Sequence, residues 1–99
     1  MIQEAQKDIK DEYYAIAYDI LVSQIHKDSD AKSLLGDMYF MGQHVNKDIK
    51  QGIKWHMSAI QDGNVLSRYR IGEMMVEGQG IEQNVEAGFR YLQEAADQG

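Results

Sequence analysis

The chain contains no cysteine and no proline. Without thiols it can build neither a disulfide framework nor a thiolate metal site, and a reducing, cytoplasmic compartment is expected. Without proline, nothing interrupts a helix from within by removing a backbone donor. Basic residues are scarce: ten Lys and Arg stand against sixteen Asp and Glu, for a net charge of −6. Phosphate backbones and anionic lipid surfaces are held by clustered Lys and Arg, so neither nucleic acid nor membrane is an expected partner. Long apolar runs are also missing. The most apolar stretch, Tyr13 to Val22, includes Asp19 and is too short to span a bilayer. It reads as a buried helix face. The opening MIQEAQKDIK lacks the basic-then-apolar order of a secretion signal.

Glycine, by contrast, is plentiful, and its spacing organises the chain. A shift of 36 residues lays Gly36 on Gly72, Gly42 on Gly78, Gly52 on Gly88 and Gly63 on Gly99. The same shift pairs Leu35 with Ile71, Asp37 with Glu73, Met38 with Met74 and Val45 with Ile81. It also pairs Asp48 with Asn84, Trp55 with Tyr91 and Ala59 with Ala95. Matches at positions that demand a particular backbone or packing residue are the mark of a structural repeat. Residues 31–63 and 67–99 are therefore two copies of one unit.

Each copy reads as two helices. In the first, Leu34, Leu35, Met38 and Tyr39 recur at helical spacing over 31–41, with Ser29 or Asp30 as N-cap. Gly42 sits where a left-handed residue ends a helix. Asp48 caps a second helix reaching about Gln61, with Ile49, Ile53, Met57 and Ile60 on one face. The second copy repeats the plan near 65–77 and 84–97, Asn64 and Asn84 taking the cap positions. A shift of 37 lays Asp11 on Asp48, Ile16 on Ile53 and Tyr18 on Trp55. Residues 11–26 are thus expected to form the second helix of a degenerate earlier unit.

This pattern resembles the Sel1-like repeat family, relatives of the tetratricopeptide repeats. Copy one carries the resemblance in Ala31, Leu35, Gly36, Tyr39, Gly42, Val45, Asp48, Trp55, Ala59 and Gly63. Copy two carries it in Ile71, Gly72, Gly78, Gly80, Ile81, Tyr91, Ala95, Ala96 and Gly99. The resemblance implies an all-α fold: an α/α superhelical solenoid of two repeats with an N-terminal capping helix, divided as 1–28, 29–64 and 65–99. Three departures stand out. His44 replaces a family glycine, and histidine tolerates positive φ better than most residues. Gly52 and Gly88 replace a helical alanine, costing about 1 kcal/mol each in propensity unless closer helix packing offsets it. Met75 replaces a tyrosine.

No catalytic constellation is legible, and no enzyme, cofactor or metal is expected. His56 and Asp62 are six residues apart and share no helix face, so His56 reads as a surface histidine. His26 and His44 fall in or near loops, without metal-ligand spacing. Trp55 and Tyr91 read as matched packing anchors. In tetratricopeptide-like stacks the first helices line the concave face. By position, the resemblance then assigns partner contacts to Asp30, Ser33, Asp37, Phe40 and Met41 in copy one. In copy two it assigns them to Leu66, Tyr69, Glu73, Val76 and Glu77. Apolar anchors among carboxylates suit a protein or peptide bearing basic residues, as for an adaptor or an inhibitor or immunity-type protein. Ile71, Phe89 and Leu92 are expected to leave an apolar C-terminal end. The alternative reading is therefore a homo-oligomer, such as a homodimer through that end.

Overall fold

The structure, a computed structural model, describes the backbone of residues 2–99 and the side chains of residues 9–99. Five helices follow one another: α1 (Ile2–Gln24), α2 (Ser29–Met41), α3 (Ile49–Gln61), α4 (Val65–Glu77) and α5 (Val85–Gln98). No strand occurs among the described residues. Helices α2 and α3 form one hairpin and α4 and α5 the next. Helix α3 packs on α4, and α1 lies against α2. The stack is elongated, 49 × 29 × 20 Å.

Helix starts are fixed by side-chain caps. The Asp48 carboxylate accepts from Gln51 N–H, Asn64 from Ser67 N–H and Asn84 from Ala87 N–H. Each satisfies a first-turn donor that has no partner within its helix. In α2 the cap is Asp28, which accepts from Asp30 N–H at 2.9 Å, rather than Ser29 or Asp30. The helix begins two residues earlier than the apolar periodicity suggests, because the extended backbone of the cap falls at Asp28.

The two hairpin loops match bond for bond. Gly42 and Gly78 adopt φ of 68° and 70° and close α2 and α4. Asp48 N–H donates to Tyr39 C=O, and its counterpart Asn84 N–H to Met75 C=O. His44 stands at φ 66° where Gly80 has 73°, so the loop keeps its shape and His44 holds the left-handed conformation. The helical glycines are explained by contact. A Cβ on Gly52 would lie 2.3 Å from the Phe40 ring and 2.9 Å from Gly36 C=O. One on Gly88 would lie 2.6 Å from Val76 Cγ2 and 2.8 Å from Gly72 C=O. In both hairpins the helices cross at a glycine pair, so lost helix propensity is exchanged for close backbone approach. The core is small: Leu35, Met38, Ala59, Ile60, Ile71 and Ala95 with Ala31. Ile71 is thus interior, not part of an open end. Trp55 and Tyr91 are half-buried at matching places.

Candidate protein-binding surfaces

Helix α1 has two apolar stripes. Tyr14, Tyr18 and Leu21 form the first, half-buried toward α2. The Tyr18 ring lies 5.1 Å from that of His44, and its hydroxyl is bonded to Tyr39. That bond, followed by burial, pushes the Tyr39 phenol above its ordinary value. The second stripe is Ile9, Tyr13, Ile16 and Ile20, exposed by 67, 65, 56 and 56%. Its four-three-four spacing places all four residues on one side of the helix. The stretch from Tyr13 to Val22 is therefore not a single buried face, since half its apolar residues face outward.

Beside the second stripe, α2 presents Leu34, Asp37 and Met41. Together the two helices wall an open groove of about 520 Å³. At 100° per residue, Glu12 and Asp19 flank the stripe on its far side from α2. Both are exposed. The groove thus has an apolar floor and a carboxylate on either border. On the α2 side, Arg70 Nε approaches Asp37 Oδ1 at 3.5 Å and offsets part of that charge.

The residues assigned by position to the concave face are dispersed. Asp30, Leu66 and Tyr69 line a second depression, of about 720 Å³, at the far end of the stack with Leu92, Ala95 and Ala96. Asp37 and Met41 line the α1–α2 groove. Glu73 is half-buried and Glu77 exposed on α4. Three others turn inward. Ser33 is 0% exposed, so it offers a partner no surface. Phe40 stacks on His56 at 5.1 Å, and Val76 packs over Gly88. Residues three or four apart share a face only approximately, and Phe40 and Val76 lie on the flank that the next helix covers.

His56 is the largest departure from expectation. It is 0% exposed rather than a surface residue. Nε2 lies 3.0 Å from Asp37 Oδ1 and Nδ1 2.8 Å from Ser67 Oγ. A carboxylate only accepts, so Nε2 carries the proton toward Asp37, and Ser67 donates its hydroxyl to Nδ1. One imidazole thereby ties α2, α3 and α4 together. Gly36 makes room, since a Cβ there would lie 2.5 Å from the ring. The order carboxylate, imidazole, hydroxyl is that of a hydrolase triad, but Ser67 is 0% exposed and its hydroxyl is closed off from the surface. Among the described residues, no three His, Cys, Asp or Glu side chains gather as a metal site. No described helix is long and apolar enough to cross a membrane.

Comparison with known proteins agrees with this architecture. The family model of the Sel1 repeat matches twice, over residues 29–64 and 65–99. Among solved structures, a Sel1 repeat protein from Oxalobacter formigenes superposes with a TM-score of 0.76 and 24% sequence identity. The match covers 91% of this chain but 36% of that protein. Sel1 repeats are in general protein–protein interaction modules and typically non-catalytic scaffolds.

Proposed function

We propose that this chain, which belongs to the Sel1 repeat family, is an adaptor or an inhibitor or immunity-type protein that holds its partner in the groove between α1 and α2. Residues 1–28 act as a degenerate half-unit supplying one wall of that groove. The observation that carries the reading is the second stripe of α1. A helix apolar on two sides needs cover on both, and α2 covers only one. Four large side chains on one exposed stripe are more than the scattered apolar residues of an ordinary surface. The bordering Glu12, Asp19 and Asp37 suit a partner segment with an apolar face and basic flanks, and such a segment fits best as an amphipathic helix. The acidic positions Glu73 and Glu77 on α4 would extend the same preference.

The test is binding of basic amphipathic helical peptides by wild type and by Ile16→Asp. Ile16 is exposed, so the substitution should leave helical circular dichroism and melting unchanged. A central apolar anchor is worth about 2 kcal/mol or more in an interface, so affinity should fall at least roughly thirtyfold. Unchanged affinity would remove the groove from consideration.

A further inference from the structure

Asp37 belongs to two places at once. It stands on the α2 border of the groove, and its Oδ1 accepts from Nε2–H of the buried His56 at 3.0 Å. Arg70 Nε, 3.5 Å from the same oxygen, makes no hydrogen bond. His56 is therefore the residue whose hydrogen bond orients this carboxylate. Oδ2 has no partner among the described residues, and the Asp37 side chain stays 24% exposed.

The ring can change charge without losing either contact. Among the described helices, α3 packs only on α2 and α4. From α2 the ring meets Asp37 and the Phe40 ring, and from α4 it meets the Ser67 hydroxyl, with Arg70 behind Asp37. Lys32, which α2 also turns toward α3, is bonded to Ser58 and Asp62 instead. While Nδ1 is bare, Ser67 donates to it. Once Nδ1 carries a proton it donates, and the same hydroxyl accepts. Asp37 accepts from Nε2 in both states. What changes is charge. With a neutral ring, the charges of Asp37 and Arg70 cancel. With a protonated ring, the cluster at the groove border is positive.

We propose that His56 makes the groove sensitive to pH: the proton that it takes up weakens the hold of the groove on a cationic helix. The inference rests on the groove as the binding site. His56 touches no partner there, and acts through Asp37 as a positioning residue. The cation of the partner and the proton of the histidine compete for one carboxylate, at Oδ2 and at Oδ1. Histidine is the side chain whose charge ordinarily changes between about pH 5 and 8, whereas carboxylates and lysines keep theirs.

A basic amphipathic helical peptide whose cations are all lysine tests this by fluorescence anisotropy, at fixed ionic strength, at about pH 8 and about pH 5.5. Wild type should bind it roughly tenfold more weakly at the lower pH. His56→Gln, whose amide can serve both partners but takes no proton, should bind equally at both. A reciprocal measurement needs no variant. Followed by NMR, His56 should take up its proton at lower pH with the peptide bound than without it. A peptide that fails to bind at pH 8, or that binds Ile16→Asp as well as wild type, would remove the groove and this inference with it. Binding that Ile16→Asp weakens but pH leaves unchanged would overturn this inference alone. So would a pH dependence that persists in His56→Gln, or a His56 titration that the peptide does not move.

Discussion

His56 spends both ring nitrogens on partners from other helices, Asp37 on α2 and Ser67 on α4. Removing the ring leaves the buried Ser67 hydroxyl without a side-chain partner, takes one of two partners from Asp37 and opens a void beside Phe40. His56→Ala should therefore cost about 2–4 kcal/mol in a urea titration. Ser33 is the counterexample. Its hydroxyl is buried with no hydrogen-bond partner among the described residues. Ser33→Ala should accordingly be neutral or stabilising by up to about 1 kcal/mol, and a loss above 1 kcal/mol would show an unrecognised bond. Gly52→Ala pits a gain of about 1 kcal/mol in helix propensity against a methyl driven into Phe40 and a backbone carbonyl. A carbonyl does not yield as a side chain does. Overpacking of about 1–3 kcal/mol should win, giving a net loss in melting temperature. None of the histidine's role is legible locally. Its partners lie 19 and 11 residues away in sequence, and only the packing of three helices brings them together. The glycines, by contrast, are legible one residue at a time, because φ above zero and backbone contact each demand the absence of a Cβ.

Helix α1 depends on few contacts, and one of them titrates. The hydrogen bond that the Tyr39 hydroxyl donates to Tyr18 holds its phenol above the ordinary value of 10.0. The folded state therefore retains a proton that the unfolded chain releases. That contribution to stability is complete below about pH 10 and is lost as pH rises through the folded value. Helical signal from wild type should decline above that pH. Tyr18→Phe, lacking the bond, should be less stable at neutral pH and show a shallower alkaline loss. A steeper loss would contradict the assignment. His44 illustrates two effects of similar size in opposition. Left-handed backbone costs a histidine about 1–2 kcal/mol relative to glycine, while its contact with Tyr18 returns about 1 kcal/mol. His44→Gly should thus change stability little while loosening α1. The caps of α3, α4 and α5 and the glycine ends of α2 and α4 were legible because Asp, Asn and Gly carry their geometry with them, whereas three neighbouring polar residues, Asp28, Ser29 and Asp30, left the cap of α2 ambiguous. The orientation of α1 was not. Its two apolar stripes have similar spacing, and periodicity cannot say which one meets α2.

At the scale of the whole molecule, the repeat sets the architecture, and the differences between its copies set which faces stay exposed. The 36-residue period predicts the hairpins, their stacking and the matched places of Trp55 and Tyr91. Position within the repeat does not predict exposure equally well. Ser33 and its counterpart Tyr69 occupy the same register, yet one is 0% exposed and the other 49%. Exposure in a stack depends on the neighbour, which lies a full unit away in sequence. Because the groove borders are carboxylates, binding of a basic helix should weaken as salt rises from 50 to 300 mM, mainly through slower association. The most direct test of the groove is amide chemical-shift mapping with a basic amphipathic helical peptide on the isotope-labelled chain. The account predicts shifts concentrated in residues 9–21 of α1 and 34–41 of α2. Shifts confined to α5, or scattered without regard to the outward stripe of α1, would contradict it.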